Sequence, residues 1–357
     1  MMTQPVAPVP HSRPTLGEAE AKALASVLAS GQVAQGPQTD TFERGVAELV
    51  GVRGGVAVSS GTVALEVALL GLGIGAGDEV ILPTYVCAAP WLAVTRVGAT
   101  PKLVDIEPRS YNIDPASVRQ TLSPRTRAVI VPHLFGLPAD LTALQSCGVP
   151  LIEDCAQTVG AVERGRRVGS VGRATVCSFY ATKLLCAGEG GMVLSNDAGL
   201  LEQWRALREY DERDRLNPLS YNRKLTDLQA ALGLVQVNRF QELARRRAAI
   251  AARYGAELGA LGLTLPVVPE GRTHVYYRYV VRIPESAGPL DGIMQRLEGR
   301  GVQCRRPVFR PIHRYLGEAG FPASEEAHAR ALSLPIYPSL TDAEAASVIQ
   351  ALREEFR

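Results

Sequence analysis

The residues of this chain that could carry out covalent chemistry lie in a few short segments. Lys183 ends the run Ser178-Phe-Tyr-Ala-Thr-Lys183, behind an apolar stretch and ahead of Gly188-Glu-Gly-Gly191. Lysine is costly to bury, and a desolvated amine gives up its proton more readily, as a Schiff-base nucleophile must. A surface lysine after a strand is the plain alternative for that segment alone. Asp154, in Glu153-Asp154, closes another apolar run. A carboxylate at a strand end can keep a pyridine nitrogen protonated and so turn the ring into an electron sink; loop capping is the commoner duty of such an aspartate. In Ser59-Ser60-Gly61-Thr62 a strand gives way to a helix. Free backbone N–H groups, the helix dipole and the hydroxyls of Ser60 and Thr62 suit a phosphate there, though a simple helix cap explains the tetrapeptide as well. Ser178 adds a further hydroxyl. Tyr221-Asn222-Arg-Lys224 precedes a long helical pattern, where Asn222 can reach a phosphate in its own or a neighbouring subunit.

Other features exclude function classes. Gly71-Leu-Gly73-Ile-Gly75-Ala76 fits a loose dinucleotide fingerprint but follows a helix rather than a strand, so it reads as a turn. A net charge of +2 gives no field for nucleic acid or an anionic membrane. Arg245-Arg246-Arg247 falls in a helical pattern and reads as a solvated face. The stretch 54–77 is too polar for a membrane span. Six cysteines without close pairing, and no signal-like start, imply a reduced, cytoplasmic setting.

The elements that must position these groups follow from periodicity. A helix is expected over 16–30, opened by a Thr15–Glu18 capping box, and another over 38–50. Strands over 55–59, 79–82, 100–104, 128–132, 150–153, 174–179 and 191–195 alternate with helices, one capped by Asp114 with Pro115 behind it. Such alternation predicts an α/β unit with a mainly parallel sheet covered on both faces. From about 225 the pattern changes. One long helix is expected over 226–261, then a strand over 276–283, a helix over 290–300 and a last helix over 342–356 capped by Thr341 with Glu344. The division is a flexible tail over 1–14, a large domain over 15–240 and a smaller α+β domain over 241–357.

Taken in order, the segments Ala57-Val-Ser-Ser-Gly-Thr62, Leu82-Pro-Thr-Tyr85, Gly98-Ala-Thr-Pro101, Pro132-His-Leu-Phe-Gly136, Ile152-Glu-Asp-Cys-Ala-Gln157, Ser178-Phe179 with Lys183, Gly188-Glu-Gly-Gly-Met192 and Ser333-Leu-Pro-Ile336 carry a resemblance. From about Arg13 onward the chain resembles the nucleotide-sugar aminotransferase family of the DegT/DnrJ/StrS type, pyridoxal-phosphate enzymes of the aspartate-aminotransferase fold (fold type I). The resemblance implies a seven-stranded-type sheet and pyridoxal 5'-phosphate as cofactor, with its aminated form, pyridoxamine phosphate, as the carrier. It implies Lys183 as the Schiff-base lysine that also moves a proton, and Asp154 as the partner of the ring nitrogen. Tyr85 takes the place of the aromatic that stacks on the ring, and Gln157 lies beside the ring. Gly61, Thr62 and Ser178 bind the phosphate, joined by Asn222 of the partner subunit in a homodimer, and His313 lies near the sugar-nucleotide site. Leu184 and Lys224 stand where the family usually has Asn and Arg. The implied reaction transfers an amino group from an amino acid, glutamate by analogy, to a keto sugar on a nucleotide. A cyclitol (inosose) acceptor would use the same cofactor residues, and a non-catalytic ligand sensor is the alternative from another class. The retained Lys183 argues against the sugar dehydratases, which replace it.

Overall fold

The computed structural model describes residues 8–211 and 217–356. Its centre is a seven-stranded sheet made of β1 (Gly54–Val58), β2 (Glu79–Pro83), β3 (Thr100–Val104), β4 (Thr126–Pro132), β5 (Leu151–Asp154), β8 (Ala174–Ser178) and β9 (Gly191–Ser195). The two short strands between them, β6 (Val162–Glu163) and β7 (Arg166–Arg167), form a separate antiparallel hairpin. The order across the large sheet is β1-β9-β8-β5-β4-β2-β3. Only β9 runs against its neighbours; the remaining pairs are parallel.

Period-two alternation covers both faces with apolar side chains. Val56, Val58, Val80, Leu82, Ile130 and Ile152 enter one core, which includes helix Gly61–Gly71. On the opposite face Ala57, Cys177 and Met192 pack against helix Pro37–Val50, while Ile81, Val129 and Leu151 join a further cluster. Because β1, β2, β4, β5 and β8 point the same way, the residues that follow them all emerge at one sheet edge. Ligands in open α/β sheets bind at this carboxyl edge.

A second core is built on the antiparallel pair β10 (Tyr279–Arg282) and β11 (Ala331–Leu334). Helices Phe240–Leu258, Leu290–Gly299 and Asp342–Phe356 cover it. The last carries the expected cap, with Thr341 and Glu344 exchanging hydrogen bonds. No helix among the described residues is long and apolar enough to cross a membrane.

Four expectations change. The helix expected over 226–261 is two, Asp227–Asn238 and Phe240–Leu258. The chain turns at Arg239, whose guanidinium bonds Glu20 and Glu242, so that Phe240 stays in the large core while Ile250, Tyr254 and Leu258 reach the second. The first helix begins at Glu18 with Gly17 as its cap, because Thr15 is drawn away to accept the Ser339 N–H. Arg247 is buried, not solvated, and donates to the carbonyls of Tyr276, Tyr277 and Ile336. Residues 1–7 of the expected tail lie outside the described residues, but Val9 is buried and paired in both directions with Gly301 and Gln303.

Candidate active site

The carboxyl edge of the sheet assembles the predicted residues from four strands. After β1, Ser60 caps helix Gly61–Gly71 by accepting the Val63 N–H at 3.2 Å. The amides of Gly61 and Thr62 precede the first helical hydrogen bonds and lie where the dipole is positive. Close approach explains the glycines here. A Cβ on Gly61 would fall 2.8 Å from the Ser178 Cβ, and one on Gly191 would fall 2.2 Å from the Ser60 carbonyl oxygen. Helix start, Ser178 and the head of β9 therefore form one tight cradle of small residues with hydroxyls and free amides, of the composition a phosphate requires.

Asp154 ends β5 beside this cradle, 8% exposed. Burial pushes its carboxyl above the ordinary range, opposed by the Ala156 N–H at 3.0 Å and by the charge of Lys183. Its neighbour Glu153 points to the other side and is saturated. It accepts from Gly169 N at 2.7 Å, Val171 N at 2.8 Å, Gly172 N at 2.5 Å and His133 Nε2 at 3.1 Å. His133 Nδ1 accepts the Ala139 N–H, which leaves the ring hydrogen on Nε2 for Glu153. His133, Glu153 and Cys155 come close enough to suggest a metal, but His133 and Glu153 are committed to this network. Gln157, one turn past Asp154, accepts the Phe135 N–H at 2.9 Å through Oε1.

Lys183 follows β8 on a short turn held by its own N–H to the Tyr180 carbonyl. Its Nζ lies 5.1 Å from the centre of the Tyr277 ring. The charge of Lys183 acts on both the Asp154 carboxyl and the Cys87 thiol, so the three lie near one another at this edge. Asn222 is exposed on the segment whose Arg223 carbonyl accepts the Ser59 N–H, next to the cradle. Lys224 pairs with Asp211, and Leu184 is buried.

Two predicted residues are placed differently. Tyr85 is fully buried, its hydroxyl donating to the Ala327 carbonyl at 3.3 Å and its ring beside Tyr111. No face remains for a stacking partner, so the expected ring-stacking role is corrected. Cys87, two residues on, is the exposed member of this turn. His313 is also spent: Nδ1 meets Thr84 Oγ1 at 2.7 Å, Nε2 meets Glu325 at 2.5 Å, and the ring stacks on Phe321. It clamps the exit of β2 rather than offering a nitrogen to a substrate. The sequence reading missed Cys87, Tyr277, Arg247 and Arg278. The first lacks any motif of its own, and the others arrive from the second core.

The residues present fit a phosphorylated pyridine carbaldehyde. A cradle for the phosphate, a buried carboxylate for a ring nitrogen and a lysine amine for the carbonyl lie together at the carboxyl edge of the sheet.

Comparison with known proteins agrees. The sequence profile of the DegT/DnrJ/EryC1/StrS aminotransferase family matches residues 14–353. The chain is 38% identical to dTDP-3-amino-3,4,6-trideoxy-alpha-D-glucose transaminase of Streptomyces venezuelae, over 93% of this chain and 90% of that protein. It is 36% identical to GDP-perosamine synthase of Caulobacter vibrioides, over 87% and 88%. The sugar aminotransferase Spr1654 of Streptococcus pneumoniae, described as putative and solved in PLP and PMP forms, superposes with a TM-score of 0.92 at 25% identity, and its PLP form covers 98% of each chain. The chain belongs to the DegT/DnrJ/EryC1/StrS aminotransferase family.

Proposed function

We propose that this enzyme moves the amino group of an amino acid, L-glutamate, to the keto group of a nucleotide-linked deoxysugar, with pyridoxal 5'-phosphate as resident cofactor. The placement of Lys183 after β8 and of Asp154 at the end of the neighbouring β5, both at the carboxyl edge of the sheet, carries the reading. When bound, the cofactor supplies an electron sink that acidifies the carbon bearing the amine.

The protein's own groups do the rest. Gly61 and Thr62 amides with the Ser60, Thr62 and Ser178 hydroxyls hold the phosphate, and Asn222 of the partner subunit completes that contact. Asp154 keeps the ring nitrogen protonated; its scarcity of internal donors leaves the carboxylate for that purpose. Gln157, fixed through Oε1, turns its amide nitrogen toward the ring. Lys183 Nζ would anchor the cofactor's carbonyl and then carry the proton between the substrate carbon and the cofactor as general acid and base. The homodimer is supported by exposed Tyr180, Leu219 and Tyr221 around Lys183 and Asn222, an apolar rim suited to a second copy. Six free cysteines support a reducing, cytoplasmic location.

The amine-loaded enzyme should be mixed with keto sugar nucleotides and, separately, with an inosose, while the visible band of the cofactor is followed. Recovery of the band by a nucleotide-linked keto sugar is expected; recovery by the inosose alone would make the protein a cyclitol aminotransferase. Lys183→Ala should lose both band and turnover. Normal transamination by that variant would overturn the assignment.

A further inference from the structure

Lys183 has a neighbour that the reaction scheme above does not use. Tyr277 is 7% exposed and presents its ring to Nζ at 5.1 Å, while Arg278 lies on the same ring with its Cζ 5.2 Å from the centre. Thr182, next to Lys183, hydrogen-bonds the phenol.

The placement is fixed from several directions. Val275 N–H bonds the Gly136 carbonyl at 2.9 Å and Arg278 N–H bonds the Phe135 carbonyl at 3.1 Å, which ties this segment to the turn after β4. Arg247 grips the Tyr276 and Tyr277 carbonyls from behind. Tyr276 itself is held at φ +49°, a left-handed conformation that a tyrosine adopts only under constraint. The backbone is forced, and what it delivers is the Tyr277 ring against Lys183.

The surroundings say what that ring is for. A cavity of about 20 Å³, the size of one water, is bordered by Lys183, Arg13, Arg247, Arg278, Tyr277 and Tyr337, and no carboxylate lines it. Three guanidinium groups on that wall repel an ammonium. The π face of Tyr277 attracts one.

We propose that Tyr277 is the positioning residue for Lys183, its ring face holding Nζ in place whenever the amine is not covalently engaged. This rests on the function proposed above, in which Lys183 must be released from the cofactor and yet stay close enough to move a proton. Burial disfavours ionisation of the Tyr277 phenol, but Lys183, Arg278, the Thr182 hydrogen bond and Arg247 outweigh it and hold the group at about 8. The phenol is therefore a reporter of the lysine's position.

Two measurements test the inference. In cofactor-free protein, the near-ultraviolet phenolate difference between wild type and Tyr277→Phe should show one phenol ionising near pH 8, and Lys183→Met should move it upward. A phenol indifferent to Lys183→Met overturns the proposal. In the loaded enzyme, Tyr277→Phe keeps the ring and should keep kcat within about twofold, whereas Tyr277→Leu should lower it roughly 5- to 30-fold with the donor KM unchanged, the worth of a desolvated cation–π contact. Equal kcat for Tyr277→Leu and wild type also overturns it. Should Tyr277→Leu fail to fold, the phenol titration decides. Turnover by Lys183→Met would instead sink the proposed function, so the two failures are separable.

Discussion

Replacing Glu153 by Gln removes one charge from the interior and leaves the shape almost unchanged, so its effect isolates the network behind Asp154. The carboxylate has no exposed surface, and each oxygen faces two donors: Oε1 meets Val171 N and Gly172 N, Oε2 meets Gly169 N and His133 Nε2. Whichever way the amide is turned, its NH2 confronts two N–H groups. His133 cannot relieve one clash by changing tautomer, because its Nδ1 already accepts from Ala139. Two hydrogen bonds to a charged acceptor are lost, at about 1.5–3 kcal/mol each, or about 3–6 kcal/mol in all. Thermal and denaturant unfolding should show it, as a fall in Tm on the order of 10 °C. The pH dependence supplies a second check. Burial raises the Glu153 carboxyl, but His133 and the Gly169 and Gly172 amides hold it below the ordinary carboxylate range. Its stabilising contribution is thus complete above the unfolded-state value of about 4.3 and is lost as pH falls through the lower folded value. The Gln variant should lack that acid-side slope. A destabilisation below about 1 kcal/mol would mean the four contacts do not carry charge-assisted strength, and the reasoning would fail.

Gly191→Ala places a Cβ 2.2 Å from the Ser60 carbonyl oxygen, so it should cost about 1–3 kcal/mol of stability and weaken cofactor binding roughly tenfold or more, read from an absorbance titration. Unchanged affinity would remove the cradle from the phosphate site. Tyr85→Phe deletes only the bond to the Ala327 carbonyl; it should cost about 1 kcal/mol and leave the cofactor spectrum as it was. A shifted spectrum would restore the stacking role that burial denies it. Cys87 is the one exposed thiol of the six, so a thiol reagent should label it in cofactor-free protein and be blocked after loading. Labelling that ignores the cofactor would place Cys87 outside the site.

What could be read from the sequence was whatever local physics determines. β3 and β9 fall where their apolar runs predict, and Asp114 caps its helix through the Ala116 and Ser117 amides. The same holds for Lys183, Asp154 and the Ser60–Thr62 turn, because a strand end in a parallel sheet has a known destination whatever the rest of the chain does. Tyr85 and Cys87 show where this stops. They lie two residues apart on one turn after β2, and motif position alone favoured the aromatic. Their exposure is decided by His313 and Ala327, which come from the C-terminal part of the chain and fasten this turn from outside: Ile312 N–H and His313 N–H both bond Thr84, and Ala327 takes the Tyr85 hydroxyl. No periodicity within the β2 exit encodes that fastening.

Tyr277 and Arg247 escape notice for the same reason and with larger consequence. A guanidinium in a run of three arginines reads as solvated until the Tyr276, Tyr277 and Ile336 carbonyls are seen to converge on it. Those carbonyls belong to segments flanking β10 and β11, so the buried arginine is a tie between the helix that leaves the large core and the small sheet. The tie also sets Tyr277 against Lys183. Changes in the seating of the second core on the first should therefore register at Lys183, and the Tyr277 phenol, poised between Lys183 and Arg278, is the group on which that coupling can be measured.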